Sequence, residues 1–228
     1  MGKCIFITGT GTDVGKTYIT GLIIKKLRDA GCQGGYYKAA VSGAAVAADG
    51  SLTAGDAVYV DRFAEIGEIQ ENLVSYVYKE AVSPHLAAQL NRKPIEMELI
   101  RQDFSRAKKK YEYLTMEGSG GIICPLRYDD SCRLVLDDMV QALGLGVLVV
   151  AEAGLGTINS VVLTVEHLQR RRIPVQGIIF NHFHSGDVME EDNRRMVEVL
   201  TSVPVVAVVA TGDRELNISI ERLQSFYA

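Results

Sequence analysis

The order of apolar runs and helical patterns constrains the fold of this chain more than any other feature. Six short apolar runs alternate with longer stretches in which apolar residues recur every three to four positions. We predict strands at 3–9, 34–43, 112–121, 146–154, 175–182 and 203–211. Strands that are apolar on both faces, each followed by a helix, form a parallel sheet that helices cover on both sides.

Helical stretches lie between the predicted strands. The first runs from about residue 15 to 30, where Leu22, Ile23 and Leu27 share one apolar face and Gly31 ends the pattern. Six more are predicted near 55–65, 84–91, 95–110, 133–143, 157–171 and 188–201. Residues 42–54, rich in alanine, glycine and serine, are predicted to form a mobile loop beside a site. With no repeat or linker in view, residues 1–228 are expected to form a single α/β domain.

Composition and charge narrow the classes of partner. The 228 residues are 47% hydrophobic and carry a net charge of −4, which gives no general attraction to nucleic acid or anionic membranes. The longest apolar run, 147–151, is too short to cross a bilayer. The N-terminus has no leader pattern, and the cysteines lack the paired C-x-x-C spacing of a zinc site. We therefore expect a cytoplasmic protein without nucleic-acid or membrane partners.

The segment GTGTDVGKT, residues 9–17, lies between the first strand and the first helix. A common phosphate-binding loop has glycine, four residues, then Gly-Lys-Ser/Thr, whereas Gly9 lies one residue too far from Gly15. Ligands of such sheets bind beyond the carboxyl ends of the strands, where a helix N-terminus offers free N–H groups. Lys16 supplies a charge for the β/γ-phosphates and Thr17 a hydroxyl for Mg²⁺. We predict a P-loop NTPase-like, mostly parallel sheet with a lengthened phosphate loop; the alternative is a plain strand–helix turn.

Three charged residues are candidates to complete this site. Asp56 precedes a helical stretch, where an aspartate serves either as an N-cap or as a Mg²⁺ ligand. Glu117 ends the third predicted strand, so Thr17, Asp56 and Glu117 can share one Mg²⁺; the alternative for Glu117 is a salt bridge to Lys16 or Lys38. Lys38, near the end of the second strand, is placed to neutralise a transferring phosphoryl group.

The chain resembles the dethiobiotin synthetase family in its motifs. That family's phosphate loop, G-T-x-T-x-V-G-K-T, carries the same one-residue extension. Five further segments resemble family segments in the family order: YYKAAVSG (36–43), GDA (55–57), SPHLAA (83–88), EGSGG (117–121) and GLGTINS (154–160). Ala39 replaces the family's usual proline, Ser119 replaces an alanine, and the last strand lacks a clear G-x-I-P segment. The contacts that select the base are therefore the least well defined.

The resemblance implies a reaction and a set of site residues. The implied enzyme closes a cyclic urea on 7,8-diaminononanoate with CO₂ and MgATP, giving dethiobiotin, ADP and phosphate in biotin biosynthesis. The implied catalytic residues are Lys16, Lys38, Thr12 and Ser42. The implied nucleotide-binding residues are Gly11, Thr12, Asp13, Val14, Gly15, Lys16, Thr17, Tyr18 and Asn181, the last reading the adenine edge. The implied substrate-binding residues are Thr12, Lys38, Ser42, Gly118, Leu155, Gly156, Thr157 and Asn159.

The segment 154–160 also carries an expectation about assembly. Thr157 is expected to cap the helix that follows and to leave its N–H groups ready for an anion. In the resembled family the matching segment binds the substrate carboxylate across a twofold interface. We therefore expect a homodimer whose sites are each completed by residues 155–159 of the other chain; the alternative is an ordinary helix start in a monomer.

A second class of function shares the predicted fold. Nucleotide-driven switches of the partition or division-site type carry an additional lysine near the start of the phosphate loop, and residues 9–14 contain none. Such proteins also tend to carry a basic or membrane-seeking tail, whereas NISIERLQSFYA (217–228) is short and nearly neutral. Both differences favour the synthetase.

Overall fold

A computed structural model describes residues 2–228 of the chain. The strands are, in chain order, β1 (Lys3–Gly9), β2 (Gly34–Val41), β3 (Ala45–Val46), β4 (Leu52–Thr53), β5 (Val74–Val77), β6 (Tyr113–Gly121), β7 (Pro125–Tyr128), β8 (Arg133–Val135), β9 (Val147–Glu152), β10 (Val175–Asn181) and β11 (Val205–Val209). The helices are α1 (Lys16–Asp29), α2 (Gly55–Phe63), α3 (Gln70–Leu73), α4 (Pro84–Leu90), α5 (Met97–Lys110), α6 (Leu136–Ala142), α7 (Thr157–Arg170), α8 (Val188–Thr201) and α9 (Ile220–Gln224).

Seven of these strands form one parallel sheet, in the order β11-β10-β9-β1-β6-β2-β5. The parallel α/β architecture predicted from the alternating runs is therefore confirmed. Strand β1 lies between β9 and β6, and the next strand outward is β2. Because parallel strands end at the same edge, the segments that follow β1, β2 and β6 meet there.

Successive side chains of the central strands are buried on opposite faces of the sheet. Ile5 and Ile7 of β1 pack with Leu22 and Ile23 of α1, whereas Phe6 packs on the other face with Met116. Each such apolar side chain stabilises the fold by roughly 1.5–3 kcal/mol when it is fully buried. The rigid sheet centre therefore carries the phosphate loop at its carboxyl edge.

The structure corrects several predicted boundaries. The stretch predicted as a helix from residue 133 begins with β8, and α6 starts only at Leu136. Strand β5 was not predicted because it has four residues, at the sheet edge, with only alternate side chains buried. The stretch 42–54, predicted as a loop, contains the β3–β4 hairpin. Among residues 2–228, no helix combines the length and apolarity needed to cross a bilayer.

Candidate active site at the phosphate loop

The loop between β1 and α1 has a conformation that requires glycine at one position. Gly15, the N-cap of α1, has φ 88°, and a Cβ there would lie 2.1 Å from Asn181 Nδ2. Asp13 also has positive φ, at 60°. The Lys16 ammonium reaches back across the loop and donates to the Gly11 carbonyl oxygen at 2.7 Å. The loop is thus closed on itself around the start of α1.

The first turn of α1 is available to an anion. No side chain among residues 2–228 caps this helix, and its first turn contains no acidic residue. Uncapped N–H groups and the positive end of the helix dipole attract phosphate groups. Burial lowers the pKa of Lys16, and the nearby charge of Lys38 lowers it further. The ammonium groups of Lys16 and Lys38 therefore lie near each other beside the uncapped N-terminus of α1.

A charged cluster faces the loop from β2, α2 and β6. Lys38 Nζ donates to Asp56 Oδ2 at 2.5 Å and to Glu117 Oε1 at 2.7 Å, and Thr17 Oγ1 donates to Glu117 Oε1 at 2.8 Å. Burial lowers the pKa of Lys38, but Glu117 and Asp56 outweigh it, so the net pKa is raised. Lys38 is therefore a buried ammonium held by two carboxylates.

The register of the strands explains why Lys38 and Glu117 lie next to each other. Lys38 of β2 lies directly beside Glu117 of β6, and Ile7 of β1 lies on the other side of Glu117. The salt bridge left open for Glu117 is thus present and is made with Lys38. Asp56 is not the N-cap of α2, since Ala54 occupies that position. Asp56 instead lies in the first turn with its side chain 41% exposed.

One cavity joins the loop to the charged cluster. Its volume is about 690 Å³. The residues that line it are Thr12, Asp13, Gly15, Lys16, Thr17, Tyr18, Lys38, Ala40, Val41, Ser42, Asp56, Tyr59, Glu117, Ser119 and Gly120. The predicted catalytic residues and metal ligands are all in this set. The arrangement offers two ammonium groups, three hydroxyls of threonine or serine at predicted positions, and the three carboxylates of Asp13, Asp56 and Glu117 around a space that can hold phosphates.

Comparison with known proteins gives the family. A family model described as "AAA domain" matches residues 3–213. The ATP-dependent dethiobiotin synthetase BioD of Brachyspira hyodysenteriae is 44% identical over 95% of this chain and 96% of its own. The protein of the same name from Clostridium botulinum (strain 657 / Type Ba4) is 46% identical over 100% of this chain and 99% of its own. The chain belongs to the dethiobiotin synthetase family.

Two solved structures of low sequence identity are similar to this chain in fold. The MinC:MinD cell division protein complex of Aquifex aeolicus aligns with a TM-score of 0.58 at 13% identity, covering 98% of this chain and 86% of that one. Chloroplast FtsY from Physcomitrella patens aligns at 0.53 and 16% identity, covering 99% of this chain and 64% of that one. These identities are too low to carry function.

The substrate residues expected from the dethiobiotin synthetase family divide into two groups. Thr12, Lys38 and Ser42 line the main cavity. The segment 155–159 does not line it, and Leu155 is 93% exposed. Gly118 also lies outside the lining, and a Cβ at that position would come within 2.7 Å of the Phe6 ring. The chain alone therefore brings together only the first group.

The expected cap at α7 is wrong. Gly156, with φ 91°, occupies the N-cap position, and Thr157 is the first residue of the helix. The Thr157 side chain is buried, and its Oγ1 has no hydrogen-bond partner within the described part of the chain. A glycine with positive φ reverses the backbone at this position, so the threonine enters the helix instead of capping it.

Asn181 lies beside the phosphate loop, at the end of strand β10. It is the last residue of β10, and its Nδ2 donates to the Val14 carbonyl oxygen at 3.2 Å. Its Oδ1 is buried without a hydrogen-bond partner among residues 2–228. On the same side, the Tyr18 hydroxyl donates to the Asp213 carbonyl oxygen in the loop after β11. The phosphate loop is thus tied to the end of β10, and the first turn of α1 is tied to the loop after β11.

Three polar side chains at the site were not among the predicted site residues. Tyr59 and Ser119 line the cavity, and Tyr36 donates its hydroxyl to Glu117 Oε2 at 3.1 Å. Burial and then the charge of Glu117 raise the pKa of Tyr36 well above its usual value, so the hydroxyl keeps its proton. Spacing signals both tyrosines: Tyr36 is two residues before Lys38 on one strand face, and Tyr59 is three residues after Asp56 on one helix face.

The donor set fits a hard cation. Within the described residues, no group of three or more histidine, cysteine or acidic side chains is arranged so that it could hold a metal ion. Thr17, Asp56 and Glu117 instead provide two carboxylates and one hydroxyl around the Lys38 ammonium. Mg²⁺ is bound in this way when phosphate oxygens and waters complete its shell.

Proposed function

We propose that this protein closes the cyclic urea of dethiobiotin from 7,8-diaminononanoate, CO₂ and ATP. Its membership of the dethiobiotin synthetase family supports an ATP-dependent cyclo-ligase of biotin biosynthesis. The observation that carries the proposal is the position of Lys38. Its ammonium is buried between Asp56 and Glu117 in the same cavity as the phosphate loop. A cation in that place can act on a γ-phosphoryl group and its acceptor together.

The chemistry needs charge stabilisation more than a protein nucleophile. One substrate amine adds to CO₂ and loses a proton to give a carbamate. A carbamate oxygen then attacks the γ-phosphorus of ATP, releasing ADP and forming a carbamic–phosphoric anhydride. The second amine attacks the carbonyl carbon of that anhydride, and phosphate leaves as the ring closes and the amine loses its proton. Phosphoryl transfer of this kind depends chiefly on positioning and charge neutralisation.

The residues divide these tasks by position. Lys16 and the uncapped N-terminus of α1 bind the phosphates of ATP. Lys38 neutralises the oxygens that transfer, and the hydroxyls of Thr12 and Ser42 bind the carbamate and amine groups. Thr17, Asp56 and Glu117 would hold Mg²⁺, which neutralises phosphate charge when bound. Asn181 selects the base.

The assembly and location are part of the proposal. We place the substrate carboxylate on residues Leu155, Gly156, Thr157 and Asn159 of a second subunit in a homodimer. The 93% exposure of Leu155 supports a contact that this chain does not complete from its described residues. A twofold arrangement lets both chains contribute the same patch. The protein acts in the cytoplasm on small molecules.

The nucleotide-driven switch is not favoured. The likeness to a MinC:MinD complex rests on 13% identity and shows the fold alone. The phosphate loop also lacks the extra lysine at residues 9–14 that this class carries. The family relatives, by contrast, share more than 40% identity over nearly the whole chain.

A phosphate-release assay tests the function directly. The purified protein with MgATP should release phosphate at a steady rate only when both the diamine and bicarbonate are present. The rate without either one should fall to background, and mass spectrometry should find dethiobiotin in the complete reaction. Equal phosphate release with and without the diamine would contradict the synthetase and favour the switch.

A further inference from the structure

Tyr36 makes a contact that the reaction scheme above does not use. The side chain is fully buried, with 0% exposure, and its hydroxyl donates to Glu117 Oε2 at 3.1 Å. The ring packs with Ile24 of α1 and Val60 of α2. A tyrosine hydroxyl in so apolar a setting needs a partner, and a carboxylate is the strongest one available.

Glu117 is held through both of its oxygens. Oε1 accepts hydrogen bonds from Thr17 and Lys38, at 2.8 and 2.7 Å, while Oε2 accepts only from Tyr36 among these donors. Tyr36 and Lys38 are two residues apart on β2, so both point to the same face of the sheet. The register places Thr115 beside Tyr36 and Glu117 beside Lys38. Two side chains of one strand therefore hold one carboxylate of the next.

We propose that Tyr36 is a positioning residue that fixes the orientation of Glu117 toward the cation at the phosphate loop. The inference rests on the proposed role of Glu117 as a Mg²⁺ ligand. A terminal carboxylate torsion is broad, so burial alone does not fix the plane of the Glu117 carboxylate. The Tyr36 hydroxyl fixes this plane through its hydrogen bond to one oxygen and leaves the other oxygen directed at the cavity. Partners of this kind around a metal ligand commonly govern metal affinity by 10–100-fold.

The neighbouring residue provides a matched control. Tyr37 is 1% exposed and lies on the opposite face, where its hydroxyl shares a 2.6 Å hydrogen bond with Ser75 Oγ. Its ring packs against Phe104 of α5. Tyr37→Phe therefore removes a tyrosine hydroxyl that is just as buried, from the same strand, without touching Glu117. Any loss common to both variants is a loss of stability and not of positioning.

The test measures metal dependence of binding instead of turnover. A non-hydrolysable ATP analogue is titrated calorimetrically into the full-length protein over a range of Mg²⁺ concentrations. Tyr36→Phe should raise the half-saturating Mg²⁺ concentration by about 10-fold, whereas Tyr37→Phe should change it by less than about 2-fold. Without Mg²⁺, the analogue should bind Tyr36→Phe and the unmodified protein equally. Equal Mg²⁺ dependence in the two tyrosine variants would overturn the positioning role.

Variants of Glu117 separate this inference from the proposed function. Glu117→Gln should raise the half-saturating Mg²⁺ concentration at least as far, and Tyr36→Phe should add less than about 2-fold in that background, because it acts through the carboxylate. Additive effects would overturn the inference while leaving the metal role of Glu117 in place. No response to Glu117→Gln would remove the metal role, and the role of Tyr36 with it. The ring-closing reaction would then still be judged by phosphate release. Thermal unfolding of each variant verifies that it is folded at the assay temperature.

Discussion

The two halves of the active-site edge of the sheet differ in how their polar side chains next to the site are hydrogen-bonded, although the buried Thr8 Oγ1 of β1 and Thr20 Oγ1 of α1 also have no hydrogen-bond partner in the described part of the chain. Beyond β1, β6 and β2, the charged side chains satisfy one another: Lys38 bonds to Asp56 and Glu117, and Thr17 bonds to Glu117. Beyond β9 and β10, the buried atoms Thr157 Oγ1 and Asn181 Oδ1 have no hydrogen-bond partners in the part of the chain that the structure describes.

The difference indicates which polar groups of the site are held by hydrogen bonds within this chain and which are not. A buried polar atom without a partner costs roughly 1–3 kcal/mol, so it persists where something else satisfies it or where function needs it. The β1–β6–β2 half is already ordered by its own hydrogen bonds for phosphate chemistry. The β9–β10 half is the one we expect a ligand and a second subunit to complete.

The largest effect is expected from substitution of the lysines in the β1–β6–β2 half. Lys16→Ala and Lys38→Ala should each lower kcat by at least ~100-fold, the scale of losing one charge-stabilising donor. They should differ in stability. Lys38→Ala leaves the buried Glu117 without its cation, which costs roughly 3–5 kcal/mol when the carboxylate stays charged. Lys16 bonds to a carbonyl oxygen, so its loss should cost far less.

Steady-state kinetics and denaturant unfolding measure the two effects separately. Lys25→Ala is the control, because Lys25 lies on α1 with Lys16 and, among residues 2–228, forms its salt bridge with Asp29 at the surface. Its kcat should match that of the unmodified protein. Unchanged kcat in a folded Lys16 or Lys38 variant would remove that lysine from the mechanism. Equal stability of the two variants would show that the buried cluster does not depend on Lys38.

The sequence predicted the β1–β6–β2 half better than the β9–β10 half. The strand–loop–helix order around Gly15, Lys16 and Thr17 is local, and local order is what apolar periodicity and glycine spacing report. The meeting of Lys38 with Glu117 depends on the strand order β1-β6-β2 and on register, which pairs residues 79 positions apart. Placing both residues near strand ends was enough to predict proximity, but it left the partner of Glu117 open.

The remaining features depend on tertiary contacts that leave weak local signals. Strand β5 has only four residues and pairs with β2 alone, so no long apolar run announces it. Thr157 was predicted as a cap because threonine is common there, yet the backbone at Gly156, with φ 91°, moves the cap one residue earlier. The two-residue spacing of Tyr36 from Lys38 indicates the strand face of Tyr36, but its hydrogen bond to Glu117 joins two strands, so the spacing does not identify the partner.

A smaller effect is expected at the proposed subunit contact. Asn159 is exposed in this chain and does not line the main cavity. Asn159→Ala should raise KM for the diamine by about 10-fold and leave ATP binding nearly intact, because a hydrogen bond to a charged group contributes about 1.5–3 kcal/mol. Mass measurement at assay concentration should give a dimer, and an active monomer would contradict a shared site.

Mixing two defective variants tests the shared site directly. In a dimer of one Lys38→Ala chain and one Asn159→Ala chain, one site has both substitutions and the other has neither, if Asn159 acts across the interface. Random re-association at equal amounts should then restore about a quarter of the sites. The readout is diamine turnover at low diamine concentration. If both residues served the same chain's site, mixing would restore no site. The proposal that a second subunit completes the β9–β10 half would then be wrong.

The smallest effect is expected at Asn181. Its Nδ2 bonds to the Val14 carbonyl oxygen, and its Oδ1, which has no hydrogen-bond partner among the described residues, is the atom that we propose accepts from the adenine amino group. A neutral hydrogen bond contributes about 0.5–1.5 kcal/mol, so Asn181→Ala should raise KM for ATP by about 3- to 10-fold with little change in kcat. The same variant should reduce the preference for ATP over GTP, since GTP presents a carbonyl where ATP presents its amino group.

Asn193→Ala provides the control, because Asn193 is also buried but donates to the Ala153 carbonyl oxygen, away from the loop. If Asn181→Ala loses stability and yet keeps both the KM for ATP and the base preference, then Asn181 serves only to hold the loop. The unpaired oxygen on the β10 side would in that case have no role in nucleotide selection.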